Sequence, residues 1–489
     1  MLGTLFDVAI IGTELAGLVA GALLVKRGFQ VLVIDVESER VQVRRNDYTL
    51  KPFPGLFFGF GQGQVFQEIF QELGIPFLEK KRFELADPAY QIALPDVRLD
   101  IPQGTDEWTK LLSVEFKADA HQMIALLNEA NRYASVVRGL FANEVVYPAH
   151  KLRERYRLNR AFSQLGSDFK EGARLSHADF MAQFELSPAG RAFLEAQHHF
   201  LATIYPDEMS LFFSAMIFSY IDKGIYTVEG GLQVLENLCK ERISSYRGQL
   251  QRAGEIEAID FARINEIKLA GVKDPVRTKK ILVSTNIGDF LERFAPKNMK
   301  GSFQEKVDTP PPRRHAFTLY VAIDEQVVPV GMRENVILVS DAEQPISSRN
   351  LAFVKLSPAG NTEYAPVDRR LVSMTVIVDP SHGELDAAGA RRLGKHMHGR
   401  LRDLIPFLDD YTDFVAYDES FALYQALRRT VAEPAIDPED RLGIAALPNR
   451  TPHKEVFYAG RGTLPGLGME GEGLSALMAA NLLTRALAK

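Results

Sequence analysis

The first residues whose types and spacing suit chemistry are "GTELAG", Gly12 to Gly17, set between the apolar runs "FDVAIIG" and "LAGLVAGALLVKRG". A glycine at the end of a strand allows a tight turn, and a second one five residues on lets the following helix press against that strand. The exposed amides of the helix N-terminus then attract phosphate. Asp35 closes the next apolar run, "QVLVID", where a carboxylate accepts hydrogen bonds from ribose hydroxyls. The pattern predicts a dinucleotide-binding turn lined by Gly12, Thr13, Glu14, Leu15, Ala16 and Gly17. Glu14 takes the place of the middle glycine of such a fingerprint, and its carboxylate repels a pyrophosphate unless the side chain turns away. Arg44 and Arg45 in "SERVQVRRNDY" have two readings, a bidentate pair with the pyrophosphate or two solvated loop residues.

A second glycine-rich stretch closes the sequence. "AGRGTLPGLGMEGEGLSALMAANLL" places glycines at 460, 462, 466, 468, 471 and 473 between a strand-like run and an apolar helix predicted from about Leu474 to Leu487. Such a loop brings backbone amides and a positive helix end close to a flat ligand, favouring negative charge on it.

These stretches need elements to hold them. The opening reads strand, turn, helix, strand, one βαβ unit with parallel strands. A short helix is predicted near 66–73, strands at "YQIAL" and "VRLDIP", and a mainly helical region over about 115–220. Gly230 and Gly231 introduce the helix "LQVLENLCKERISS", and strands follow in "EIEAIDFARINEIKLAG" and "KKILVST". Past a proline-rich linker at 309–314 come the strands "HAFTLYVAID", "NVILVSD" and "LVSMTVIVD" and a helix near 385–404. The predicted class is α/β, with a discontinuous Rossmann-like nucleotide domain from 1–90, 225–305 and 440–489. An α+β substrate domain is inserted as 91–224 and 306–439.

Taken together, "DVAIIGTELAGLVAGALLVKRGFQVLVID", "EGGLQVLENL", "ILVSTN" and "YAGRGTLPGLGMEG" resemble the FAD-dependent carotenoid (phytoene) desaturases and isomerases of the amine oxidase superfamily. The resemblance implies FAD as cofactor, with Gly12–Gly17 at the pyrophosphate, Asp35 at the adenosine ribose and Ile256 on a strand at the adenine end. It puts Gly460 and Arg461 near the ribityl and phosphate portion and Met469, Glu470 and Gly471 near the isoalloxazine ring, with Gly468 among the cofactor-binding residues. It implies hydride transfer between a lipophilic polyene or isoprenoid-like substrate and the flavin, as desaturation, saturation or isomerisation, with no catalytic acid or base singled out. The fingerprint's departures leave a second reading: a non-catalytic isoprenoid or partner binder of the same fold, as Rab escort-like members are. An amine oxidase proper is a third, without a recognisable aromatic cage.

Composition narrows the classes. The 489 residues carry a formal charge of -6, which gives no basic surplus for nucleic acid. The single cysteine, Cys239, excludes an intrachain disulfide and fits a reducing, cytoplasmic setting. No run reaches the roughly 20 apolar residues that span a bilayer, although 52–67 and 210–221 allow peripheral membrane contact. His198 with His199, and His396 with His398, stand too close in sequence to form a chelating helix face, so no metal is expected. Phe53, Phe57, Phe58 and Phe60, with Phe212, Phe213, Phe218 and Tyr220, are read either as core or as the wall of a lipophilic chamber. Oligomeric state leaves no signal in the sequence.

Overall fold

The computed structural model describes residues 4–488 except 37–40, 54, 76–81, 143–144, 150, 173, 203–208, 229, 296–302, 304–306, 308–314, 348, 379–384, 428–441, 443–445 and 465. The linker expected at 309–314 and Pro465 of the terminal motif therefore lie outside the described residues.

Two seven-stranded sheets organise the protein. In the first, strands Leu5–Ile11, Val31–Asp35, Gln249–Arg252, Val276–Val283 and Val456–Tyr458 run parallel to their neighbours, with Leu5–Ile11 between Val31–Asp35 and Val276–Val283. Branched apolar residues at successive positions suit a strand buried on both faces. Val8, Ile10, Val31 and Val33 pack on one side against helices Leu15–Lys26 and Gly468–Leu487. Ala9, Ile11, Leu32 and Ile34 pack on the other, with Phe290 and Leu291 of helix Ile287–Phe294. On its edge away from Leu5–Ile11, strand Val276–Val283 serves two partners: its first half pairs antiparallel with Asn265–Leu269 and its last three residues pair parallel with Val456–Tyr458.

The second sheet is antiparallel apart from the parallel pair of Asn335–Val339 with Tyr90–Ala93. Alternation along Leu351–Leu356 sorts its faces. Ala352, Val354 and Leu356 turn to the cluster under helix Ala387–Leu404, and Leu351 and Phe353 turn to the main core shared with the first sheet. Helices between Thr105 and Lys223 cover one flank, and helix Leu211–Phe218 is buried at every residue.

The terminal helix starts earlier than its sequence suggests, at Gly468 and not near Leu474. Glycines disfavour helix by about 1 kcal/mol each, yet no larger residue fits here. A Cβ on Gly471 would lie 2.6 Å from the Leu464 carbonyl oxygen, and one on Gly473 would lie 2.9 Å from Val65 Cγ1. Close packing thus overrides propensity.

Candidate active site

At the carboxyl ends of the parallel strands two helix N-termini open side by side in the topology, one after strand Leu5–Ile11 and one after strand Val456–Tyr458, flanking the end of Val276–Val283. Neither helix is capped by a side chain at its N-cap residue, Glu14 in one and Leu467 in the other. Their first amides are therefore offered to a ligand and not consumed by a cap.

Gly12 has φ +104°, and a Cβ there would sit 2.1 Å from the Ser284 carbonyl oxygen. A Cβ on Gly17 would meet the Ser284 side chain at 2.5 Å. Both glycines are thus required by the approach of turn and helix to the neighbouring strand. Thr13 Oγ1 donates to Asp35 Oδ1 at 3.3 Å, which ties the turn to the end of the second strand. Leu15 and Ala16 are buried in the first helix turn. Ile256 is buried at the start of strand Ile256–Asp260, in the cluster that contains Ile34 and Ala253, and the Ala253 amide donates to the Asp35 carbonyl.

The charge of Glu14 is felt across the turn. The Tyr458 phenol is held far above its ordinary range by burial first and by the Glu14 carboxylate second. The negative charge of Glu14 therefore lies on the side of the terminal loop. In that loop the Gly462 amide donates to Tyr458 Oη at 3.2 Å, and the Gly460 amide donates to Ser475 Oγ at 3.1 Å. Buried Asn449 Nδ2 donates to the Tyr458 carbonyl and to the Ser475 carbonyl, locking loop to helix. Arg461 reaches Glu472 at 2.8 Å.

The arginines of "VQVRRNDY" lie on a hairpin next to the second sheet, Val43–Arg45 with Tyr48–Leu50. Arg45 pairs with Glu419 at 2.9 Å and lies over the Phe414 ring, and Arg44 is exposed on the hairpin.

Over the terminal helix N-terminus the structure joins residues that the sequence pointed to, Phe58, Tyr220, Met469 and Glu470, with one that it did not, Arg138. Glu470, 1% exposed, meets Arg138 of helix Ala120–Ala142 through two contacts, Nε to Oε1 at 3.2 Å and Nη2 to Oε2 at 3.3 Å. Burial works against the charge on Arg138, but Glu470 outweighs it and holds the guanidinium pKa above its usual range. Tyr220 Oη donates to the Leu467 carbonyl at 3.3 Å, and its pKa is raised by burial and by Glu470. Phe58 stacks on Tyr220 at 4.4 Å and touches the Cβ position of Gly468, which has φ +49°. Met469 is partly buried beside them. Only long-range contact identifies Arg138, one of several arginines on amphipathic helices.

Most of the remaining aromatic residues are core and not chamber wall. Phe57, Phe60, Phe212, Phe213 and Phe218 are buried, and Phe60 stacks on Phe66 at 4.8 Å. Phe53 packs on Tyr320 and Tyr364. Cys239 is buried and its thiol is pushed up to about 12 by burial, so it is inert at neutral pH. Among the described residues no group of three or more His, Cys, Asp or Glu side chains is placed to hold a metal, and no helix is long and apolar enough to cross a membrane.

The family model for flavin containing amine oxidoreductase matches residues 15–484. The chain belongs to this flavin containing amine oxidoreductase family. FAD is the family's cofactor, and the fold is that of a Rossmann-like FAD-binding domain with a substrate domain. Among curated proteins none matches. Similar solved structures include an oxidoreductase from Methanosarcina mazei at 15% identity and TM-score 0.58, covering 97% of this chain and 100% of that one. Cyclohexylamine oxidase from Brevibacterium oxydans has 14% identity and TM-score 0.60 over 99% and 100% of the two chains. A redesigned putrescine oxidase has 14% identity and TM-score 0.59 over the same shares. At such identities these three support the shared fold.

The residues fit the family's cofactor. Two uncapped helix N-termini and the glycines at 12, 17 and 468 supply donors and close approach, and Asp35 stands at the end of the second strand. Glu14 has the opposite effect.

Proposed function

We propose that this member of the family is an FAD-dependent oxidoreductase acting on a lipophilic substrate, related to the phytoene desaturases, with hydrogen removed from, added to or shifted along a carbon skeleton. When bound, FAD supplies the electron acceptor or donor for that change. The supporting observation is the paired helix N-termini at the strand ends, the second overlaid by the Phe58–Tyr220 stack and the Arg138–Glu470 pair. The protein's own part is positional. Glycine backbones and helix ends bind the diphosphate, aromatic rings exclude water, and Arg138 holds the Glu470 carboxylate away from solvent beside the terminal helix. Tyr220 and the Glu470–Arg138 pair are the polar groups over that helix start.

Lys355 of the second sheet, which approaches the loop that carries Phe58, counts against a diamine substrate of the kind named for putrescine oxidase, whereas Arg138 is compensated by Glu470. We place the substrate-binding portion in 91–224 and 306–439. Glu14 supports a second reading, a binder that keeps the fold without the cofactor. The absorption spectrum of the purified protein, before and after incubation with excess FAD, separates the two. A flavin band that survives gel filtration is expected, and a protein that stays colourless would sink the oxidoreductase reading.

A further inference from the structure

The inward face of the second sheet is apolar at its margins and polar at its middle. Lys355, Ser373 and Tyr320 stand in register on three adjacent strands, Leu351–Leu356, Arg369–Val378 and His315–Asp324. In the next row Phe353, Thr375 and Thr318 are aligned, with the two threonine hydroxyls 2.9 Å apart. Neighbouring strands lie about 4.8 Å apart, so Lys355 and Ser373 share one small area. Strand alternation fixes its direction: Val354 and Leu356 turn to the outer helix, and Lys355 turns inward with Leu351 and Phe353.

The loop Phe53–Phe60 crosses this row. Phe53 meets Tyr320 edge-on at 6.1 Å, a Cβ on Gly55 would come 4.0 Å from Lys355 Nζ, and Phe58 stacks on Tyr220 above Gly468. Gly55 and Phe58 are three residues apart, so at most about 10 Å of chain links the ammonium's neighbour to the start of the terminal helix. Lys355 is half-buried, and Gly55 of the crossing loop lies against its ammonium. Burial pulls its pKa down to about 8, with no carboxylate contributing, and no described residue forms an ion pair with it. An unpaired ammonium on an inward face is costly, and a methionine of the same length would pack as well.

We infer that Lys355, assisted by the Ser373 hydroxyl, binds the carboxylate of an otherwise apolar substrate whose reacting carbon lies toward the terminal glycine loop. This rests on the oxidoreductase reading and adds a substrate class to it. The lysine is a specificity residue: it anchors one end of the substrate and takes no part in bond changes.

The test uses the full chain incubated with FAD and three ten-carbon probes, decanoate, decanol and decylamine, titrated by calorimetry and by perturbation of the flavin band. Decanoate is expected to bind at least tenfold more tightly than decanol. Lys355→Met should remove that preference while decanol affinity stays within twofold, and Lys355→Arg should keep it. Equal binding of decanoate and decanol by the unaltered protein, a preference for decylamine, absence of decanoate binding, or a preference that survives in Lys355→Met would each overturn the assignment. Flavin uptake is scored on the same samples. Its absence counts against the oxidoreductase reading alone, because calorimetry still decides the carboxylate site.

Discussion

Single residues set the terms on which this site works. Glu14 places its charge close enough to Tyr458 of the terminal loop to raise the pKa of that phenol. Replacing it with glycine removes a like charge and a Cβ, so Glu14→Gly should tighten FAD binding about tenfold, or about 1.4 kcal/mol, in a fluorescence-quenching titration. Unchanged affinity would show that the carboxylate is screened from the phosphates. Arg138 is the converse case. Arg138→Met leaves Glu470 charged and almost wholly buried, a loss of about 3–5 kcal/mol in urea unfolding, and adding Glu470→Gln should restore much of it. Gly12 and Gly17 were legible in the sequence because their need is local, a turn and a helix start. Arg138 and Lys355 were not, because nothing near them in sequence marks the buried partner of one or the missing partner of the other.

Among the elements, long periodic segments were read well and docking was not. The helices near 66–73, 232–245 and 385–404 and the flanking strands follow from apolar spacing and turn glycines, and Gly230 and Gly231 do take positive φ before helix Leu232–Ser245. The terminal helix start was hidden because "GMEGEG" has poor helix propensity and is held by neighbours. Gly473→Ala should therefore destabilise by about 1–3 kcal/mol, where an exposed helix position would gain from alanine. Three further helices bring together histidines that sequence separates. His177 and His198 lie with ring centroids 4.4 Å apart, and His177 Nδ1 is 2.6 Å from Ser214 Oγ. Burial lowers both, His177 well below its usual value and His198 to about 3. The folded protein holds them neutral, whereas unfolded histidines take up protons below about pH 6.5. Their contribution is complete above that pH and declines as pH falls toward 3, by up to about 1.4 kcal/mol per unit per histidine. Chemical unfolding between pH 7 and 5 should show this loss, and His198→Phe should flatten it.

At the scale of the molecule, the two sheets meet through shared core and through the loop from Phe53 to Phe60, whose aromatic residues reach the second sheet at one end and the terminal helix at the other. The α/β class was readable from the alternation of strands and helices. The way the second sheet faces the first depends on contacts among residues hundreds of positions apart, which no local pattern encodes. The forked strand Val276–Val283 has a further consequence for how the protein is made. Its last three residues wait for Val456–Tyr458, and at about 5–20 residues per second a ribosome needs on the order of 10–35 s to travel between them. During that interval the nascent first sheet has an open edge, and the turn at Gly12 has no opposing loop. Cofactor capture is thus a late event in biogenesis, and chains arrested before 456 should be retained by chaperones and carry no flavin.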